Sequence, residues 1–215
     1  MKEVKKVETA LRAVERLEEY FFRRALGATF IVWAVIIAVA GFVGLKAETI
    51  ARAIEVSSGA LIGFTLLVAL IAGASATVYL FISAGRVVAW KKPMAVPSKK
   101  RLVGATIGLV WFVLTFAAGW VGAWSGYVVT WPVCVGLANV LTYALTRVVG
   151  RGYVEWLIVG VVLLAAFPLI LIAEPADLAS MIVLAATVLA YGIGGICSLL
   201  AAPGALIEGR KPGVG

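Results

Sequence analysis

Three stretches of the chain place a small polar residue four positions before a tyrosine: ASATVY (74–79), ANVLTY (138–143) and ATVLAY (186–191). In a helix, Ser75, Asn139 and Thr187 share a face with Tyr79, Tyr143 and Tyr191 respectively. The chemistry open to such a set is hydrogen bonding to an uncharged partner. Asn139 is the only Asn of a chain that has no Gln, no His and one Asp, Asp177. With Tyr143 and Thr146 it forms one helical face, which reads in two ways. It is either glue that bonds a neighbouring helix, or the lining of a polar pocket or pathway.

Catalysis is poorly served by this residue set. Without His there is no imidazole metal or haem ligand and no Ser-His pair. One Asp allows no aspartyl dyad. No glycine-rich loop ends in Lys-Ser or Lys-Thr, so that route to nucleotide binding is closed. The ten Glu residues fall outside the centres of the apolar stretches, with Glu155 near a boundary. That argues against a proton relay or a buried ion-pair switch. The expectation is a protein that is not an enzyme and has no metal and no cofactor. Glu48, Glu55, Glu174 and Asp177 read as solvated loop residues.

The elements that carry these residues are membrane helices. Hydrophobic residues make up 63% of the chain and mean hydropathy is +1.07, against about 45–50% apolar in a soluble domain. The apolar residues come in blocks near the ~20 residues that cross a bilayer. The sequence predicts an all-α, polytopic membrane protein with six spans, at 25–45, 58–83, 102–122, 127–147, 153–173 and 178–202. It divides into a cytoplasmic amphipathic helix (1–24), a transmembrane domain (25–202) and a cytoplasmic tail (203–215). No secretory peptide is expected, and the first span reads as an uncleaved anchor.

Lys and Arg settle the expected orientation. One side holds 17, in residues 1–24, the 84–101 loop, Arg147, Arg151, Arg210 and Lys211; the other holds Lys46 and Arg52. The positive-inside rule then puts both termini in the cytoplasm, in the cell membrane. The net charge of +8 therefore has a topological role and does not indicate nucleic acid. Prolines 93 and 97 predict a stiff extended loop over 91–101. Cys134 and Cys197 lie too far apart in depth for a disulfide and read as small buried residues. Scarce Asn, Gln and Cys, with Glu, Lys and Arg supplying the charge, point to a thermophilic source.

Residues 1–24 carry Val4, Val7, Leu11, Val14 and Leu17 at spacings of three and four, with seven basic and five acidic residues around them. The reading is an amphipathic helix running into the first span. Its apolar stripe needs a cover: the protein's own cytoplasmic face, lipid, a partner or a second copy.

The odd spans echo one another. GATFIVW (27–33) resembles GATIGLVW (104–111), and AGFVG (40–44) resembles AGWVG (118–122). With the three tyrosine stretches this predicts three consecutive hairpins related by a pseudo-three-fold axis. In hairpin count alone the chain resembles carriers built of three two-helix repeats, but the charged helix-breaking motifs of those carriers are missing. Gly59/Gly63 and Gly104/Gly108 read as close helix approaches. Gly194 and Gly195 read as a close crossing or a hinge, and Pro168 as a kink.

The function expected from sequence is a permease-type or transport-complex membrane subunit handling a small uncharged or amphipathic molecule. A cytoplasmic partner would dock on residues 4–17 and 84–101. Ser75, Asn139 and Thr187 would be its polar contacts and Tyr79, Tyr143 and Tyr191 an inner rim. The alternative is a structural or accessory subunit of a larger complex, with lipid, a homo-oligomer or a hetero-complex around it.

Overall fold

A backbone N–H or C=O in hydrocarbon has no water to bond, so an apolar chain satisfies these groups within helices. The computed structural model describes residues 2–89, 98–125 and 127–207, with side chains described from Val7 on except for 87–101, Gly119, 122–127 and the tail from 207. Val4, the Lys and Arg of the 91–101 loop, and Arg210 and Lys211 therefore lie outside the described side chains.

Among the described residues eight helices follow in order: α1 (Lys2–Leu45), α2 (Ala47–Ala53), α3 (Ser58–Ala89), α4 (Ser98–Ser125), α5 (Tyr127–Val148), α6 (Val154–Ile172), α7 (Ala176–Ala201) and α8 (Gly204–Ile207). No strand occurs among the described residues. Five stretches are long and apolar enough to cross a membrane, at 7–45, 58–86, 128–148, 154–172 and 176–206, and α4 carries a shorter one, Leu102–Ala118. This is the make-up of a multi-pass membrane protein.

Two loops differ from expectation. The 46–57 connection contains α2, which buries Ala47 and Ala51. The 91–101 stretch is not extended to its end, because α4 already begins at Ser98. Ser98 follows Pro97 and precedes Lys99, Lys100 and Arg101, a stop signal followed by good helix formers.

Helix α1 is 44 residues long, roughly 66 Å at 1.5 Å per residue. Only about 30 Å of that is needed to cross hydrocarbon. The charged amphipathic segment and the first span are thus one helix, and the part before Glu18, exposed from Val7 to Ala13, extends beyond the contacts that Glu18, Glu19, Phe22 and Arg23 make.

The long helices pair antiparallel as α1 with α3, α4 with α5, and α6 with α7. These pairs are joined by packing of α7 on α1 and of α6 on α5. Among the described residues α3 and α4 make no contact. Neighbour order around the bundle is therefore α3, α1, α7, α6, α5, α4, with one seam open.

The two closed joints share a device. A Cβ added to Gly27 would lie 2.8 Å from the Gly195 carbonyl oxygen, and one added to Gly195 would lie 2.9 Å from that of Gly27. On the other joint, a Cβ at Gly160 would lie 2.8 Å from the Gly136 oxygen, and one at Gly136 would lie 3.3 Å from that of Gly160. Each joint is a glycine facing a glycine, backbone on backbone. Lipid tails are as apolar as the side chains they replace, so close packing of this kind, rather than exclusion of water, holds such helices together. The sequence expectation for Gly59/Gly63 and Gly104/Gly108 is corrected: a Cβ at any of them would meet only open space.

Packing is densest in the middle of the order. Leu26 and Phe30 of α1, Val135 of α5, Val159 and Leu163 of α6, and Ala190 and Tyr191 of α7 form the core. Phe112, Phe116 and Trp120 instead stack along the outside of α4. Cys134 and Cys197 are free thiols, half-buried rather than buried as expected. Pro168 sits exposed inside α6, which runs helical past it to Ile172.

Candidate functional site

Asn139 lies on the inner face of α5 and is 0% exposed. Its Nδ2 donates to the Val135 carbonyl one turn back at 2.8 Å and reaches the Tyr191 hydroxyl of α7 at 3.4 Å. Its Oδ1 has no partner among the described residues. Around it the surroundings are apolar and aromatic. Phe30 meets Tyr191 edge-on at 5.6 Å between centroids, Trp156 meets Phe30 at 4.7 Å, and Trp111 meets Trp156 at 6.1 Å. Thr187, one turn before Tyr191, is buried and donates to the Val183 carbonyl at 2.7 Å.

The predicted residues therefore divide. Asn139, Thr187 and Tyr191 lie buried in the core, Asn139 and Tyr191 in contact. Tyr143 and Thr146 are half-buried near the basic end of α5, where the Thr146 hydroxyl donates to the Tyr143 carbonyl at 2.9 Å. Ser75 and Tyr79 are exposed on α3, Tyr79 by 71%, and do not approach Asn139. Gly194 and Gly195 are buried at a crossing. A Cβ at Gly194 would meet the Val159 side chain at 2.6 Å and Phe30 at 3.4 Å.

A second polar pattern lies between the residues of the predicted one, at Thr77 and Thr142. Trp33 Nε1 donates to Thr77 Oγ1 at 3.1 Å, and Thr77 donates on to the Gly73 carbonyl at 2.8 Å. Trp111 Nε1 donates to Thr142 Oγ1 at 3.0 Å, and Thr142 donates on to the Ala138 carbonyl at 2.7 Å. An indole on the odd helix of a hairpin is thus tethered to a threonine on its even helix, twice. Thr77 and Thr142 are matched by a small residue one turn earlier, a signal present in the sequence beside the one singled out there.

A charged cluster sits at the basic end. Arg23 of α1 bonds Glu19 at 2.7 Å and Glu155 of α6 at 2.8 Å. Glu155 is 1% exposed and its second oxygen, Oε2, has no partner. Arg151 bonds Glu18 at 2.7 Å, the Tyr153 hydroxyl donates to Glu19 at 3.1 Å, and Phe22 stacks on the Tyr153 ring at 4.7 Å. The Ser198 hydroxyl adds a bond to the Arg23 carbonyl at 3.0 Å. Glu155, read from sequence as a boundary residue, is here the buried half of an ion pair. Glu155 stands in the first turn of α6 and is covered by α1, an element 132 positions away in sequence. Burial holds down the Arg151 guanidinium's affinity for its proton, but Tyr153 and Glu18 outweigh it and leave the pKa raised. No group of three metal-ligating side chains gathers among the described residues.

Burial, reinforced by Glu19, pushes the Tyr153 phenol well above its ordinary value near 10. A raised folded-state pKa gives stability that is fully present below the unfolded value and lost as pH rises through the folded one. The melting temperature of the detergent-solubilised protein is therefore expected to fall above about pH 10, and Tyr153→Phe to flatten that alkaline limb. An unchanged limb in the variant would remove Tyr153 from the anchorage of α1.

No protein-family model matches this chain, and neither a curated protein nor a solved structure matches it. Its function has to be argued from the site itself.

Proposed function

We propose that the chain is a six-span protein of the cell membrane, both termini cytoplasmic, acting as a structural or accessory subunit of a larger complex. One observation carries this reading: Asn139, the only side-chain amide of the chain, is fully buried against Tyr191 and bonded to a backbone carbonyl of its own helix. A pathway residue needs a face open to its passenger, whereas helix glue needs a neighbour, here Tyr191. The sixth span is α4, whose apolar part continues the up-and-down order of its neighbours. The 17-to-2 division of Lys and Arg supports the orientation. The paired Trp-to-Thr tethers support kinship between the first two hairpins, while the open α3/α4 seam breaks the three-fold ring.

A permease handling a small uncharged molecule is the second reading. Its support is specific: Asn139 Oδ1 and Thr29 Oγ1 are buried acceptors without partners, and such a group costs about 1–3 kcal/mol unless something donates to it.

Accessibility separates the two. Asn139→Cys, in a chain whose Cys134 and Cys197 are replaced by Ala, would be treated with a membrane-impermeant maleimide in sealed vesicles of each orientation. The accessory reading expects no labelling at position 139 from either side until the protein is denatured. Labelling from one side under native conditions supports the permease and removes the accessory reading. Val7→Cys, on the projecting end of α1, reports orientation in the same vesicles and is expected to label from the cytoplasmic side only.

A further inference from the structure

The projecting part of α1 carries an apolar stripe that no described residue covers. Val7 is 60% exposed, Leu11 51% and Leu17 41%, with Val14 half-buried between them. By sequence, Val4 continues the stripe. Isolated exposed apolar residues are ordinary, but a stripe at spacings of three and four is a surface built for a helix.

Geometry says which way it faces. Eighteen residues make five full helical turns. Val7 therefore lies directly above Ala25, and Leu11 above Thr29, both buried in the bundle. Glu18 and Phe22, between these levels, contact Arg151 and Tyr153. Val7 and Leu11 thus continue the inward face of α1, whereas Leu17 lies five turns from the exposed Val35, to one side of it. Two copies in one membrane cannot set these stripes against each other without their bundles overlapping. A helix lying on the bilayer would instead run across the head groups, whereas α1 continues uninterrupted from its span.

Charge narrows the occupant further. Written as heptads, Leu11 takes an a position and Val7 and Val14 take d positions, so the border positions that follow d are Glu8 and Glu15. Glu3 borders the other side by sequence, and Arg12 and Arg16 fall on the back. Glu8 and Glu15 are exposed, Glu8 in a pair with Arg12. An acidic border repels anionic head groups, which attract Lys and Arg. It would also set Glu3 of one parallel copy against Glu8 of another. It complements lysine or arginine.

We propose that the Val7–Val14 face of α1 docks one amphipathic helix of a separate cytoplasmic protein, about two heptads long, with an apolar stripe bordered by Lys or Arg. This rests on the proposed orientation and gives the accessory subunit a partner class.

The test uses the full chain in phosphatidylcholine nanodiscs and two synthetic helical peptides, both with Leu at a and d, one with Lys and one with Glu at the border positions. The Lys-bordered peptide is expected to bind about ten-fold tighter than the other. The exposed double substitution Glu8→Lys/Glu15→Lys is expected to reverse that preference, and Leu11→Asp to abolish binding of both. Equal binding of the two peptides would overturn the proposal. So would disulfide-linked dimers of Leu11→Cys in native membranes, which assign the face to a second copy. Protection of position 11 by phosphatidylserine vesicles would assign it to lipid, with the same result. Labelling at position 139 is read separately, so failure of the peptides leaves the accessory reading standing, and the converse holds.

Discussion

Arg23→Ala is expected to destabilise the protein by about 3–5 kcal/mol, the loss seen when one partner of a buried ion pair is removed. The reason lies in what remains. Glu155 is 1% exposed, and Arg23 holds the one of its oxygens that has a partner. Without Arg23 the carboxylate stays buried under α1 with no cation facing it among the described residues. Arg23 also bonds Glu19 and lies over the Tyr153 ring at 5.4 Å, so its removal loosens the attachment of α1 to the α5–α6 turn. Thermal unfolding in a single mild detergent measures the loss. The double variant Arg23→Met/Glu155→Gln is expected to recover most of it, because the stranded charge has gone. A single variant as stable as the parent would show that water reaches Glu155 and that the pair contributes little.

Gly195→Ala is expected to cost about 1–3 kcal/mol, the range for overpacking a close contact. The new methyl would stand 2.9 Å from the Gly27 oxygen and 3.2 Å from the Ile31 nitrogen. Both are backbone atoms that cannot swing aside, so α1 and α7 must separate. Gly160→Ala meets the Gly136 oxygen in the same way on the other joint and should behave alike. Gly192→Ala on the same helix as Gly195 meets nothing and is expected to be neutral, or stabilising by up to about 1 kcal/mol through helix propensity. Unfolding of the three variants side by side checks this. Equal effects at positions 192 and 195 would mean that helix propensity, not the crossing, sets the response.

The helices were legible because hydropathy and charge speak residue by residue. The predicted spans fall inside the observed helices apart from residues at their ends, and the spacing of Val7, Leu11 and Val14 announced the extension of α1. Of the seams, only Gly194 and Gly195 stood out, as a close crossing or a hinge; what they cross did not. Gly27 meets Gly195 and Gly136 meets Gly160 as one glycine on each helix, so no repeated spacing within either helix marks the crossing. Gly59/Gly63 and Gly104/Gly108 have that spacing and face open space. Asn139 stood out by residue type, but its environment did not, because the rings of Phe30, Trp156 and Trp111 come from three other helices. The Arg23–Glu155 pair was hidden by sequence distance. Each residue alone resembles an ordinary charge at a membrane boundary.

The open seam between α3 and α4 has a mechanical consequence. A closed circle of helices fixes its own circumference, while an open order of helices leaves its two end members to the solvent. Here the solvent is acyl chain, and α3, whose most apolar window is only 6% buried, is fastened to the rest along a single flank. Bilayer thickness and chain order therefore enter the tertiary structure at this edge as directly as any side chain does.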